Sequence, residues 1–376
     1  MKIAVAKEID PSEPRVAASP DTVKKFKALG VDIVVEPGAG LKSGLPDSDF
    51  TAAGATVAAD AVKDADIVIK VKRPEASELG NYKRGALVIA IMDPYGHEAE
   101  LKAIADSGIS AFAMELMPRI TRAQVMDVLS SQANLAGYRA VIEAAEAFGR
   151  AFPMMMTAAG TVPAAKVFVM GVGVAGLQAI ATARRLGAVV SAYDVRAAAA
   201  DEVRSLGATF VNLDLETQEG AGGYAKSQSA DFAERQHAAL APYVAESDVV
   251  ITTAAIPGRQ APLLLTEQMV AAMRPGSVVV DLAAQSGGNC ALSKPGETNV
   301  HGGVTVWGGA DVPSQLPVHA SKLYGANQTA FIKLLRDGEA DDEILVGCRV
   351  TAGGEIVHEA VRNALAEEPD QPEQGE

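Results

Sequence analysis

The sequence predicts an α/β protein: two doubly wound parallel-sheet domains joined by long helices. Three observations carry that expectation. Strand and helix patterns alternate along almost the whole chain, which makes parallel sheets with helices on both faces. At 376 residues the chain is long enough for two domains with full cores. In the second half, the apolar run Val167-Phe-Val-Met170 leads directly into Gly171-Val-Gly-Val-Ala-Gly176 and a helical pattern from Val174 to Leu186. A further apolar run, Ala188 to Tyr193, follows and is closed by Asp194.

In the first domain, strands are expected at about 2–6, 31–35, 66–71, 86–92 and 109–114, with helices between them. The opening residues Met1 to Lys7 read as the first strand rather than a secretion signal, being short and charged early. Ser19-Pro20 starts a helix, with a capping hydroxyl and a proline at the first helical position, and Gly30 ends it. An uninterrupted pattern from about Ser131 to Arg150 predicts a connecting helix. Phe152-Pro-Met-Met-Met-Thr-Ala-Ala-Gly-Thr-Val-Pro163 is too irregular for a helix and predicts a hairpin. The second sheet is expected to run through 166–170, 188–193, 208–211, 248–252, 277–281 and 304–307. A helix at about 319–336 and a last strand at about 344–350 remain to pack back on the first domain. The expected domains are therefore 1–128 completed by 320–365, and 129–319. The acidic end, 366–376, contains proline and no aromatic residue, and is expected to be disordered.

The glycine stretch has a specific physical reading. Gly171 permits a tight turn, Gly173 lets backbone approach a pyrophosphate, and Gly176 lets helix pack on strand. The helix start adds unpaired N–H groups and the positive end of its dipole. Asp194 lies 18 residues past Gly176. There a carboxylate accepts hydrogen bonds from both ribose hydroxyls and repels a 2′-phosphate, so NAD(H) is favoured over NADP(H). Arg196, two residues on, works against that preference. This is a complete Rossmann dinucleotide-binding unit.

Composition narrows the classes. The chain is 48% hydrophobic and 21% charged, and no apolar run approaches the roughly 20 residues that cross a bilayer. Cys290 and Cys348 make neither a disulfide framework nor a zinc pattern, and a cytoplasmic setting follows. A net charge of −14 argues against nucleic acid and anionic membrane as direct partners.

Met114 to Arg139 is dense in hydrogen-bonding side chains: Arg119, Arg122, Gln124, Asp127, Ser130, Ser131, Gln132 and Asn134. Joining the two domains, it is expected to border the cleft that receives a nicotinamide. A plainer reading makes it a solvated helix start capped by Asp127 or Ser130. The segments Pro118 to Gln124 and Ser130 to Arg139 resemble the NAD(H)-binding component of the proton-translocating nicotinamide nucleotide transhydrogenases. So do Thr157 to Pro163, Gly171 to Leu177, Gly222 to Lys226, Thr252 to Gly258, Val280 to Ala283 and Gly287 to Cys290. Alanine dehydrogenase is a relative sharing the fold, the start near Arg15 and the Lys70-Val-Lys72 segment.

The resemblance implies an NAD(P)+ transhydrogenase activity of the Si-specific/Re-specific, proton-translocating type. It implies that Arg119, Gln124, Asp127 and Ser130 surround the nicotinamide. It places Asp194 at the adenosine ribose, and Gly171, Gly173, Val174, Gly176, Val195, Arg196 and Ala255 around the rest of the nucleotide. Tyr224 is implied to sit on a mobile loop, about Glu216 to Ser229, whose Gly220-Ala-Gly-Gly223 run suits movement. NAD(H) would be bound here and NADP(H) on a partner subunit. A separate membrane-spanning subunit would complete the complex at the cytoplasmic side of the inner membrane. Two copies of this chain would pair through the second domain, exchanging or packing the Met-rich hairpin.

Chemistry separates the two relatives. Oxidising an amino acid at carbon removes a proton as well as a hydride and needs a general base. The alanine dehydrogenases carry a histidine and an aspartate where this chain has Asp93 and Gln285, and Gln285 cannot accept a proton at neutral pH. Exchange between two nicotinamide rings moves only a hydride and needs positioning. Two alternatives stand beside that reading: an alanine dehydrogenase-like enzyme, and a non-catalytic NAD-binding module, which would leave the polar set at 119–130 unexplained. His97 is a displaced base or a solvated helix-start residue. His237, His301, His319 and His358 show no metal spacing, and Cys290 suits a buried apolar role. Arg15, Lys70 and Lys72 either bind a carboxylate or form structural ion pairs.

Overall fold

The computed structural model describes residues 1–213, 215, 230–255 and 258–367. It divides into two compact units: Met1–Gln132 with Leu316–Glu376, and Ala133–Gln315. The helix Val128–Ala147 carries one change of unit, and the other falls just before the helix Pro317–Asp337.

The first unit holds a six-stranded sheet in the order β3-β2-β1-β4-β5-β6. Its strands are β1 (Lys2–Val5), β2 (Asp32–Val35), β3 (Thr56–Val57), β4 (Ile67–Lys72), β5 (Leu87–Ile91) and β6 (Ser110–Ala113). Every pairing is parallel. Successive side chains of a strand point to opposite faces, and helices cover both, so nearly every position is apolar. Ile3 and Val5 join one core with Phe26, Phe50, Tyr324 and Phe331. Ala4 joins the other with Val68, Val88, Leu101 and Ile104. The helix Pro20–Ala28 starts as its sequence dictates: Ser19 and Thr22 close a reciprocal capping box, and Gly30 turns the chain at φ 72°.

The second unit opens with an antiparallel hairpin, β7 (Met155–Thr157) and β8 (Gly160–Val162). Its seven-stranded sheet has the order β11-β10-β9-β12-β13-β15-β14. The strands are β9 (Lys166–Met170), β10 (Val189–Tyr193), β11 (Thr209–Phe210), β12 (Val249–Thr252), β13 (Val278–Asp281), β14 (Thr298–His301) and β15 (Val304–Gly308). Crossing from β11-β10-β9 to β12-β13 reverses the strand order beside β9, and the crevice at such a switch is where doubly wound sheets bind ligands. Val167 and Val169 face one core, Phe168 and Met170 the other.

Three expectations need correction. The run 344–350 is not a strand: Glu343–Cys348 is a helix. The Asp342 carboxylate accepts from the Ile344 N–H at 2.9 Å, and Ile344, Leu345 and Cys348 are buried at helical spacing. The edge strands β3 and β14 were not expected. β3 spans only two residues, and β14 pairs antiparallel to β15 with its residues largely exposed, so neither has a run of buried apolar positions to announce it. The chain returns to the first unit through Pro317–Asp337, then β16 (Thr351–Ala352) and β17 (Glu355–Ile356), and the helix Glu359–Glu367. That last helix takes in the first two residues of the segment expected to be disordered; 368–376 lie outside the described residues.

Candidate functional site

In the second unit, the turn after β9 is shaped by its glycines. Gly171 has φ 95°, and a Cβ there would meet the Ala254 nitrogen and Thr253 Oγ1, each at 2.9 Å. At Gly176 a Cβ would lie 2.0 Å from the Gly171 carbonyl oxygen, so only glycine lets helix Val174–Arg185 pass this close to the strand end. Gly173 differs: nothing lies within 4 Å of where its Cβ would be. Its side faces open space at the start of the helix, where N–H groups and the dipole favour an anion. Val174, first in the helix, is exposed. A pyrophosphate fits this arrangement.

Asp194, at the end of β10, faces the same turn. Its Oδ2 accepts the Val172 N–H at 2.7 Å, and its Oδ1 accepts the Arg196 N–H at 2.9 Å. The Arg196 side chain adds two bonds, Nε to Oδ1 at 2.8 Å and Nη2 to Oδ2 at 2.9 Å. Val195, half-buried between them, packs on the core below. Ala255 is exposed at the far side, in the segment after β12.

That segment is held by residues the sequence reading did not single out. Thr253 Oγ1 donates to the Gly171 carbonyl at 2.9 Å. The buried Asn289 carboxamide accepts from the Ala254 N–H at 3.0 Å and donates to the Ala254 and Pro262 carbonyls at 2.8 and 2.7 Å. Asn289 is itself fixed by Asp281, whose carboxylate also accepts from Thr252 Oγ1, Ser293 Oγ and the N–H groups of Ala283 and Cys290. A buried carboxylate at a strand end with this many donors is a structural hub. The available signal was the polar pair Asp281 and Asn289 flanking Gly287-Gly288 after an apolar strand.

In the first unit, the four residues implied to surround the nicotinamide divide into two kinds. Arg119 and Gln124 are exposed, Gln124 on a short 3-10 turn, Thr121–Met126. Asp127 and Ser130 are half-buried and joined: Asp127 accepts from the Ser130 N–H at 2.9 Å and from Ser130 Oγ at 2.6 Å. This is helix capping at the start of Val128–Ala147, so the plainer reading of these two is realised. The turn is anchored from both sides. Arg122 makes a forked pair with Asp342 at 2.7 and 3.0 Å, and Asn327 donates to the Val125 carbonyl at 2.9 Å.

The cluster of Arg15, Lys70 and Lys72 is closed by acids. Buried Arg15 donates through Nε and Nη2 to Glu13, both at 2.7 Å, and through Nη1 to Gln132 at 3.1 Å. Lys72 pairs with Asp10 at 2.9 Å, and Lys70 with Glu78 and, at 3.8 Å, Glu8. Burial pushes the Glu8 carboxyl up to about 7 against the pull of Lys70, while the Lys72 ammonium holds Asp10 well below the usual range. Asp93 stands at φ 45°, 3.3 Å from His97, its N–H donating to buried Glu115. Gln285 Oε1 accepts the Asp311 N–H at 2.8 Å. His97 precedes the helix Glu98–Asp106, and His237 meets the Leu263 carbonyl. Burial raises the Cys290 thiol to about 11, fitting an apolar role. Among the described residues no group of His, Cys, Asp and Glu could hold a metal. Tyr224 and the loop 216–229 lie outside the described residues.

Comparison with known proteins gives this architecture its relatives. The family model described as alanine dehydrogenase/PNT, N-terminal domain, matches residues 4–136, and the corresponding C-terminal domain matches 140–359. The first part of the NAD(P) transhydrogenase alpha subunit of Rhodospirillum rubrum, a polypeptide of its own, is 50% identical over 96% of this chain and 99% of its own length. A solved transhydrogenase from Sinorhizobium meliloti is 52% identical, with TM-score 0.86, covering 96% of this chain and all of that one. A solved L-alanine dehydrogenase is 26% identical, with TM-score 0.82, over 97% and 99% of the two chains. The chain belongs to the alanine dehydrogenase/PNT family.

Proposed function

We propose that this chain is the NAD(H)-binding subunit of a proton-translocating transhydrogenase, exchanging hydride directly with NADP(H) held by a partner subunit. When bound, the nucleotide supplies the hydride from its nicotinamide. The chain's residues hold it: the Gly171–Gly173 backbone and the following helix start take the pyrophosphate, with Val174, Gly176 and Ala255 around it. Asp194, flanked by Val195 and Arg196, takes the adenosine ribose. Arg119, Gln124, Asp127 and Ser130 orient the ring without exchanging protons, so positioning supplies the rate.

One observation favours this over an amino-acid dehydrogenase. Arg15 and Lys72, which an amino acid's carboxylate would need, are engaged by Glu13 and Asp10. Gln285, moreover, cannot act as a base. The proton-coupled membrane step belongs to a further subunit, since no helix among the described residues is long and apolar enough to cross a membrane. Two copies pair through the hairpin, whose Met154, Met155, Met156 and Val162 are all exposed, Met156 at 78%. Sedimentation of a stable monomer at micromolar concentration refutes that pairing.

The deciding experiment gives the purified chain NADH and, separately, alanine with NAD+, each with and without the NADP(H)-binding subunit. Turnover is expected only with NADH and the NADP+-loaded partner. Alanine-dependent reduction of NAD+ by the chain alone, abolished by Asp93→Ala, establishes the dehydrogenase instead.

A further inference from the structure

An ionised carboxylate offers about four acceptor positions, two per oxygen. On Asp194 all four are filled. Two are taken by backbone N–H groups, of Val172 and Arg196, which the turn itself fixes. The other two, one on each oxygen, are taken by the Arg196 guanidinium, which spans the carboxylate as a fork. A vicinal ribose diol presents two O–H donors and needs one free position on each oxygen. The positions left to it by the backbone are the two that the guanidinium holds. Nη2 also donates to the Val172 carbonyl at 3.0 Å, so the side chain lies across the glycine turn. The Asp194 side chain is only 7% exposed, and no second face of the carboxylate is open to solvent for a diol to use.

We propose that Arg196 is an internal competitor for the adenosine diol: its guanidinium holds the acceptor positions on Asp194 that the ribose requires, and a nucleotide binds by displacing it. The inference rests on the reading that Asp194 receives the ribose, and assigns Arg196 a role that reading lacks. Diol affinity is then set by the difference between two occupants of one carboxylate. The fork supplies charge as well as hydrogen bonds, so it is a strong occupant. A ligand without the diol has nothing to gain from displacing it.

That asymmetry defines the test. Calorimetric titration with AMP and with 2′,3′-dideoxy-AMP compares the unmodified chain with Arg196→Met, which keeps an unbranched apolar stem and removes every donor. AMP should bind about tenfold tighter to the variant, the order expected from releasing one charge-assisted pair. Dideoxy-AMP should change by no more than about twofold. Arg196→Lys, which keeps the charge but cannot span both oxygens, should tighten AMP by a smaller factor, and tests the idea should the methionine variant fold poorly. If Arg196→Met leaves AMP binding unchanged or weaker, while AMP still binds better than its dideoxy form, the competition is refuted and the ribose assignment stands. If AMP and dideoxy-AMP bind alike in both proteins, Asp194 does not read the diol, and both ideas fall.

Discussion

Replacing Asn289 by alanine tests how the nucleotide side of the second unit is held. The Asn289 carboxamide makes three hydrogen bonds to main chain, one from the Ala254 N–H and two to the Ala254 and Pro262 carbonyls. Each is worth about 1 kcal/mol net, so Asn289→Ala should destabilise the unit by about 3 kcal/mol. Water entering the space would recover some of that by bonding the orphaned groups. Against a typical domain stability of about 5–15 kcal/mol the loss is large. Urea unfolding followed by Trp307 fluorescence suits the measurement, because the chain's one tryptophan lies on β15 of the same unit. Affinity for NADH should fall with it: Ala254 packs against Gly171, and Thr253 bonds its carbonyl. A loss below about 1 kcal/mol, with NADH affinity unchanged, refutes the claim that this carboxamide shapes the site.

Asp194→Ala should narrow the preference for NADH over NADPH, as measured by titration with both; equal affinity of the unmodified chain for the two nucleotides sinks the ribose assignment. Gln124→Asn, one methylene shorter, should leave NADH binding nearly intact and slow hydride transfer at least tenfold in single turnover, about 1.4 kcal/mol of barrier. A normal rate with the partner present would mean the ring is held elsewhere. Glu8 binds its proton more tightly folded than unfolded, because burial lifts it from 4.5 to about 7. The stability this contributes is full below about pH 4.5 and is lost as pH rises to 7. Glu8→Gln should therefore flatten the decline in thermal stability across that window, and parallel pH profiles for the two proteins would overturn the assignment.

Much of the architecture was legible because it rests on local rules. The capping box at Ser19 with Pro20, the positive φ at Gly30, and the glycine turn from Gly171 to Gly176 each need particular residue types within one turn of chain. Long apolar strands such as Ile67–Lys72 and Val278–Asp281 announce themselves because both their faces are covered. The failures have the opposite character. Ile344 to Val350 reads equally as strand or helix, since a short apolar run has no length to show its period; the Asp342 cap and its burial against neighbours decide it. The edge strands β3 and β14 owe their conformation to a partner strand rather than to their own side chains.

The candidate site shows the same division. Sequence alone determined that a dinucleotide unit exists, where its turn lies and which acid closes it, because those features depend on spacing along a strand–turn–helix. Only tertiary structure decided who occupies that acid. Whether Arg196 lies on Asp194 or points away depends on the turn bringing the Val172 carbonyl and N–H to the same place. Whether Arg15 and Lys72 are open to a substrate depends on Glu13 and Asp10 folding back over them. Charges compete for partners in three dimensions, and sequence spacing does not rank the competitors.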